Sequence, residues 1–473
     1  MLFNSYEFIL VYLPITLVGY YALAKYFGNI FAKYFLIAMS LAFYSYWDIR
    51  NLPILLISIA VNYLFGVWIS IRKDKLVLAA GVIFNLLLLG YFKYTDFLLQ
   101  NISHLFFLNI SLANIALPLG ISFFTFTQTA YLVDVYRGGT NEYSPSDCLL
   151  FVTIFPHLIA GPILYHKDVI PQFSQSERYR VNFENLSKGL AWFIIGLTKK
   201  VCIADKLGCY ADRIFNNTLD ITLLDAWFGS FAYTLQLYYD FSGYSEMAIG
   251  LGLMFNYNLP INFNMPYRSS SIIEFWRCWH MTLSSFLKNY LYIPLGGNRN
   301  SHHMRNIFMT MFLGGLWHGA GWTYIFWGCL HGIYICINHL WRKTGVIIPK
   351  FLSWFITINA VNFAWIFFRA SDFDNAKRII CRMFDFNSFY LPTSNFLNKH
   401  LENALPVMDL SFNYSELAFL LISGFVCIKI VDTNELMERF KPSYYWVFGL
   451  GIIAAYILLI MSSVESQFIY FQF

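Results

Sequence analysis

One histidine inside a strongly apolar run is the best candidate in this chain for a residue that does chemistry. His318 lies in the segment 307–336, with glycines on both sides that would let a ligand or a second helix approach closely. An ionisable group at membrane depth indicates a function by default, because a centred Asp, Lys or Arg costs about 2.5–3.5 kcal/mol on insertion scales. A neutral imidazole there can act as a general base near neutral pH. The alternative is a packing histidine that donates to a neighbouring carbonyl.

A second group of polar side chains lies just upstream, on a helix that the pattern predicts over Glu274–Lys288. Trp276 and His280 have the i, i+4 spacing that would place them on one face of this helix. We expect His280 to orient His318 or to bind polar groups of a substrate. The alternative is an interfacial histidine on a basic amphipathic helix.

Other histidines are weaker candidates. His331 lies in the same apolar run, but on one continuous helix it would point roughly 140° away from His318. We therefore expect these two histidines to share a site only if the helix breaks near Gly319–Gly321. His302 and His303 form a pair in a polar segment, where a solvated loop is favoured over a metal site.

Two acidic residues in apolar surroundings also need an explanation. Asp240 lies in the middle of an apolar run, where a carboxylate should be paired or hydrogen-bonded. We expect Asp240 to form an ion pair with Arg268 or Arg277 that stabilises the fold. The alternative is a direct role in chemistry. Asp134 and Arg137 are spaced to form a structural i, i+3 pair at the end of a helix.

The composition is that of a polytopic membrane protein. The 473 residues are 58% hydrophobic and only 12% charged, whereas soluble domains are about a quarter charged. The net charge of +5 is small for this length and does not indicate a nucleic-acid partner. The eight cysteines are scattered without a C-x-x-C pair, so neither a disulfide framework nor a thiolate metal site is predicted. The chain also lacks the G-x-S-x-G, H-E-x-x-H, Walker A and G-x-G-x-x-G motifs.

The apolar runs predict an all-α fold of about eleven transmembrane helices, because each is long enough to cross a bilayer. They lie near residues 7–24, 31–48, 52–71, 76–92, 115–135, 187–203, 222–254, 306–341, 351–369, 411–431 and 444–464. Shorter runs near 97–110 and 148–160 are expected to be re-entrant or interfacial. The amphipathic stretch from Thr198 to Ile214 is expected to lie in the membrane interface.

The organisation along the chain indicates a single integral-membrane domain. We expect it to cover residues 1–473, with a catalytic middle at 118–331 and flanking spans at 1–110 and 351–473. The segment 1–24 carries no Lys or Arg ahead of its apolar stretch, so we expect a retained first span. Basic loops occur at 72–75 and 341–343. If these loops face the cytoplasm, as the positive-inside rule predicts, both termini lie on the opposite side of the membrane.

Eight blocks of sequence, in order, resemble the membrane-bound O-acyltransferase family. The resemblance is strongest to the bacterial branch that O-acetylates alginate and peptidoglycan, and it covers most of residues 1–370. The blocks are MLFNSYEFILVYLPI, PLGISFFTFTQTAYLVDVYRG, LIAGPI, YYDFSGYSEMAIGLG, NFNMPYRSSSIIEFWRCWH, YLYIPLGGNR, GLWHGAGWTYIFWGCLHG and WIFFRA. An ordered series of this length is far more specific than any single block.

The resemblance implies a fold, a mechanism and partners. The family's helices surround a central tunnel, in which His318 corresponds to the near-invariant histidine and His280 to an upstream polar position. An acyl group, here expected to come from cytosolic acetyl-CoA, passes through the tunnel toward an acceptor outside. A periplasmic SGNH-type partner often completes the transfer to polysaccharide.

The leading hypothesis is therefore an O-acetyltransferase of the bacterial inner membrane, surrounded by lipid and acting on an exported polysaccharide or the cell wall. His318 would be the catalytic base and His280 its assistant. We expect no metal; the candidates for binding the coenzyme are Arg277, Lys288, Arg299 and Trp317. The alternatives are D-alanyl transfer to teichoic acid, and a transporter or flippase for a lipid-linked sugar, although the repeated halves usual in transporters are not visible.

Overall fold

The structure is a computed structural model of the chain. It describes residues 1–138, 143–159, 161–216, 221–299, 302–392, 407–408, 410–430 and 432–461. In these ranges the regular structure is helical, apart from one parallel pairing of two-residue segments, Leu391–Pro392 with Val407–Met408. The all-α fold class is confirmed.

The α-helices are numbered in chain order. They are α1 (Leu13–Tyr26), α2 (Asn29–Ser45), α3 (Asn51–Arg72), α4 (Lys75–Leu89), α5 (Thr95–Phe106), α6 (Ile121–Tyr136), α7 (Pro145–Thr153), α8 (Phe155–Leu158), α9 (His166–Val169), α10 (Phe183–Thr198), α11 (Asp205–Phe215), α12 (Leu223–Met254), α13 (Ile272–Cys278), α14 (Met281–Leu287), α15 (His303–His318), α16 (Trp322–Thr344), α17 (Lys350–Arg369), α18 (Phe373–Met383), α19 (Tyr414–Lys429), α20 (Thr433–Glu438) and α21 (Tyr444–Ile460). Short 3₁₀ turns occur at Ile170–Ser174, Ser176–Tyr179, Pro266–Arg268 and Phe386–Ser388.

Wider π-helical turns extend or join several of these helices. Glu7–Tyr12 leads into α1, Gly90–Tyr94 joins α4 to α5, Lys199–Ala204 joins α10 to α11, and Lys288–Tyr292 follows α14. Such turns change the direction in which the side chains around them point, and they are frequent at functional sites. One of them, Gly90–Tyr94, contacts the site described below.

Four helical stretches of the described residues are long and apolar enough to cross a membrane: Glu7–Tyr26, Asn51–Arg72, Lys75–Phe106 and Lys350–Arg369. Two shorter apolar helices are Asn29–Ser45 and Tyr444–Ile460. The prediction of a membrane protein is confirmed, whereas the count of eleven spans is not. One predicted run, 306–341, is divided into two helices that pack against each other.

The centre of the fold is a close crossing of α10 and α12, which glycines on both helices make possible. A Cβ at Gly196 would lie 2.5 Å from the carbonyl oxygen of Gly243, and one at Gly189 would lie 2.6 Å from that of Gly250. Such contacts leave no room for a side chain, so small residues are required at both levels of the crossing. The long helix α12 is buried along most of its length.

Next to this crossing, Asp240 forms a buried ion pair with a lysine. Lys200 Nζ lies 2.6 Å from Asp240 Oδ1 and 2.7 Å from Asp205 Oδ1, and all three side chains are buried. The expected pairing of Asp240 with Arg268 or Arg277 is wrong. The guanidinium of Arg268 instead donates to the carbonyl oxygens of residues 428 and 430, and the side chain of Arg277 is exposed.

The amphipathic stretch from Thr198 to Ile214 carries both exposed and buried cations. Lys206 and Arg213 are exposed. Lys199 and Lys200 turn inward instead, and each pairs with an acidic residue of α12. The π turn at 199–204 therefore binds the stretch to the core.

Candidate active site

The apolar run that contains His318 breaks immediately after this histidine. Helix α15 ends at His318 and α16 begins at Trp322. Gly319 and Gly321 link them in extended conformations, and a Cβ at Gly319 would lie 2.3 Å from the ring of Tyr324. His318 is therefore the last residue of its helix.

A pair of glycines brings α15 and α16 into backbone contact one turn before the break. A Cβ at Gly315 would lie 2.5 Å from the carbonyl oxygen of Tyr324 and 2.9 Å from Cα of Gly328. The reciprocal position is equally tight, since a Cβ at Gly328 would lie 2.9 Å from Cα of Gly315. This contact fixes the end of α15, and with it His318, against the first turns of α16.

The imidazole of His318 is buried among aromatic rings. Its side chain is 5% exposed. The ring centroid lies 4.9 Å from that of Trp317, 5.0 Å from Trp327 and 5.3 Å from Phe368, all at steep angles. These neighbours come from α15, α16 and α17, so the orientation of the imidazole depends on three helices.

His280 is fully buried between two short helices, and its tautomer follows from its partner. Its Nδ1 lies 3.0 Å from Oδ1 of Asn262, which also accepts a hydrogen bond from the hydroxyl of Thr282. An amide oxygen can only accept, so Nδ1 of His280 carries the proton and Nε2 is the basic nitrogen. The edge of the ring meets Phe241 at 4.7 Å.

The predicted helix over Glu274–Lys288 is wrong at its centre. The chain leaves helical geometry between α13 and α14, and His280 has a left-handed backbone conformation with φ 44°. Trp276 and His280 therefore do not share a helix face. The indole of Trp276 instead donates to Nδ1 of His331 at 3.2 Å.

Breaking the run at Gly319–Gly321 brings His331 and His318 against the same tryptophan. The rings of His318 and His331 both contact Trp327, at 5.0 and 4.9 Å. The break after His318 thus meets the condition under which His331 was expected to share a site with His318. The joint role of His318 and His280 stays a prediction.

A lysine and a tyrosine that the sequence analysis missed hold the end of α15. Lys93 Nζ donates to the carbonyl oxygens of Trp317 at 2.6 Å and His318 at 2.9 Å. The hydroxyl of Tyr94 donates to the carbonyl oxygen of Leu316 at 2.6 Å. The available signal was a lysine within an apolar helix, which is rare in a membrane segment without a function.

A cavity of about 80 Å³ opens beside His318. It is lined by the segment 117–123 together with Lys93, Ile159, Trp317 and His318. Pockets for whole small-molecule ligands are typically about 300–1,000 Å³, so this cavity accommodates a group of a few heavy atoms. The central tunnel that the resemblance implies stays a prediction.

The residues predicted to bind the coenzyme do not share one environment. Arg277, Lys288 and Arg299 are exposed, and none of them lines the cavity at His318. Trp317 does line it, and its ring is buried and stacked on Phe126 at 4.9 Å. Within the described ranges, no group of three or more His, Cys, Asp or Glu side chains could hold a metal ion.

The acid at the end of α6 has more partners than predicted. Asp134 lies 3.9 Å from Arg137, which is the expected i, i+3 pair. It also accepts a hydrogen bond from the hydroxyl of Tyr290 at 2.8 Å and lies 3.2 Å from Nε2 of His166. This cluster ties α6 to the π turn after α14, which supports a structural role.

These features are those of a helical membrane protein with a buried histidine beside a small cavity. Residues 41–371 match the MBOAT, membrane-bound O-acyltransferase, family. The protein belongs to this family and is an acyltransferase, which confirms the resemblance drawn from its sequence blocks.

Curated relatives of the chain carry out acyl transfer in bacteria. A peptidoglycan O-acetyltransferase of Helicobacter pylori is 39% identical over 520 residues, covering 100% of this chain and 98% of the relative. The probable alginate O-acetylase AlgI of Pseudomonas aeruginosa is 41% identical, covering 89% of this chain and 81% of the relative. A teichoic acid D-alanyltransferase of Streptococcus thermophilus is 27% identical, covering 53% of this chain and 68% of the relative.

Proposed function

We propose that the protein transfers an acetyl group from acetyl-CoA across the membrane for the O-acetylation of an exported polysaccharide. The observation that carries the proposal is the buried His318 beside a cavity with room for a small acyl group. The full-length similarity to a peptidoglycan O-acetyltransferase and the similarity to alginate O-acetylases favour acetyl transfer.

In the proposed reaction, His318 acts as a general base. It takes the proton of an acceptor hydroxyl, whose oxygen then attacks the thioester carbonyl carbon of acetyl-CoA. The resulting tetrahedral species collapses, the bond from carbon to sulfur breaks, and the imidazolium returns the proton to the leaving thiolate. His280 assists by accepting a hydrogen bond at Nε2. This nitrogen carries no proton, because Asn262 holds the proton of the imidazole on Nδ1.

The donor is proposed to enter from the cytosolic side and the acceptor from the outside. The exposed cations Arg277, Lys288 and Arg299 would meet the phosphates of the coenzyme, and Trp317 would meet its acyl end. The rest of the coenzyme would lie outside the cavity at His318, because that cavity is too small for it. Basic loops such as 72–75 would face the cytosol.

The proposed setting is the bacterial inner membrane, with both termini outside. The segment 118–331 would form the catalytic middle of a single domain, since it contains both His280 and His318. A periplasmic SGNH-type partner would pass the acetyl group on to the polymer. Acyl-CoA, membrane lipids and this partner are the proposed interactions, and no nucleic acid is involved.

The proposal is tested with purified protein, radiolabelled acetyl-CoA and a polysaccharide as the acceptor. We expect His318→Ala to abolish label transfer and release of coenzyme A at an unchanged level of folded protein. The matched control is His339→Ala, which replaces a half-buried histidine on α16 outside the cluster and should retain activity. A folded His318→Ala protein that still transfers the label would refute the proposal.

The second candidate is D-alanyl transfer, which the distant D-alanyltransferase relatives favour. Their lower identity and their shorter coverage of this chain make it the weaker candidate. Offering the protein a D-alanyl thioester on a carrier protein in the same assay distinguishes the two donors. The transporter alternative loses its basis, because the chain belongs to an acyltransferase family.

A further inference from the structure

The terminal carbonyls of α15 are bound by a lysine from a distant part of the chain. The last four C=O groups of an α-helix have no partner within the helix. Here the carbonyls of Trp317 and His318 accept from Lys93, and that of Leu316 accepts from Tyr94. A cation at this end also interacts favourably with the negative end of the helix dipole.

The π turn at Gly90–Tyr94 places these two side chains side by side. It lies inside the apolar stretch Lys75–Phe106, where a charged group needs a compensating role. An i→i+5 turn widens the helix locally and is frequent at functional sites. Because of it, adjacent residues 93 and 94 both reach the end of α15.

The ammonium of Lys93 also forms part of the cavity wall at His318. Two of its donors serve the carbonyls of Trp317 and His318, and its third neighbour is the hydroxyl of Ser122 at 3.4 Å, which lines the same cavity. The ring of Trp317 lies under the ammonium at 5.9 Å. A single side chain thus touches the backbone of the proposed base and the space where the acyl group would lie.

We propose that Lys93 is a positioning residue for acyl transfer, which fixes the terminal turn of α15 so that the imidazole of His318 faces the cavity. The proposal rests on the proposed function. Without this cation, the two carbonyls at the end of α15 lose their donors, and the turn that carries the imidazole is free to rotate or fray. Misplacement of a catalytic group by about 1 Å lowers the rate on the order of 10²-fold.

The test compares substitutions at Lys93 with one at its neighbour. In folded protein, Lys93→Met should lower kcat for acetyl transfer about 100-fold and change KM for acetyl-CoA less than about threefold. Lys93→Gln, which keeps two donors without the charge, should lose about tenfold, and Lys93→Arg should recover most of the rate. The matched control Tyr94→Phe removes one neutral hydrogen bond from the same helix end and should cost less than about fivefold.

Several results would overturn the proposal. Folded Lys93→Met with wild-type kcat, or a loss in Tyr94→Phe as large as in Lys93→Met, would show that the lysine has no particular role. Failure of both neutral variants to fold would assign Lys93 to the stability of the bundle. A failure of the proposed function is distinguishable from a failure of this proposal. The proposed function is tested by the acetyl transfer of His318→Ala, and that result does not depend on the Lys93 variants.

Discussion

Gly315 is the position where one added methyl group tests how α15 and α16 hold His318. A Cβ there would lie 2.5 Å from the carbonyl oxygen of Tyr324 and 2.9 Å from Cα of Gly328. Both are backbone atoms, which cannot rotate away as the end of a flexible side chain can. In Gly315→Ala the two helices must therefore move apart, and the imidazole moves relative to the rings of α16.

The size of the effect follows from these distances. Ordinary contact with a Cβ begins at 3.4 Å, so the gap at Gly315 has to open from 2.5 Å by up to about 0.9 Å. Overpacking of this kind costs about 1–3 kcal/mol in the free energy of unfolding. A shift approaching 1 Å at the base is expected to lower kcat by about ten- to a hundredfold.

The assay measures the thermal unfolding midpoint and acetyl turnover of purified Gly315→Ala against Gly314→Ala. A Cβ at Gly314 meets only the Cδ1 of Leu287, at 3.4 Å, so this neighbour accepts the methyl group. Replacing Gly by Ala favours the helix by about 1 kcal/mol in both variants, so this contribution cancels when their stabilities are compared. Equal midpoints and equal turnover in the two variants would show that a methyl group at Gly315 does not push the two helices apart.

Two further predictions concern buried polar groups. Lys200→Met should lower the free energy of unfolding by about 3–5 kcal/mol, because it removes the ammonium that lies between two buried carboxylates. The exposed Lys206→Met is the control, and equal thermal midpoints would contradict the prediction. Asn262→Ala removes the acceptor of His280 Nδ1 and of the Thr282 hydroxyl, and the fraction that folds should turn over about tenfold more slowly, since the tautomer is no longer held. Wild-type turnover in a folded Asn262→Ala protein would show that this hydrogen bond does not matter.

The class of protein and the two principal histidines could be predicted because the signals are local. Low charge and long apolar runs define a membrane protein whatever the arrangement of its helices. His318 stands out as a titratable group within such a run, and His280 as part of the polar group just upstream of it. The possibility of a helix break at Gly319–Gly321 could also be recognised, because the glycines that allow it follow the histidine directly in the sequence.

The partners of buried groups could not be predicted in the same way. Asp240 pairs with Lys200 on a neighbouring helix instead of an arginine nearer in sequence. The helix over Glu274–Lys288 breaks at His280, where the backbone is left-handed and the imidazole contacts Asn262, a residue outside the predicted helix. The tertiary contact outweighs the local pattern in both cases.

Composition and the ordered blocks of residues were enough to predict a helical membrane acyltransferase and to select the imidazole that is the candidate base. The contact between Lys93 and the end of the helix that bears this imidazole joins positions 224 apart in the chain, and it becomes visible only when the helices are packed together. The physical reason is that an unsatisfied carbonyl needs a donor but does not specify its source. Which donor reaches the carbonyl depends on how the glycine-lined helices pack. That packing cannot be predicted from the periodicity of a single helix.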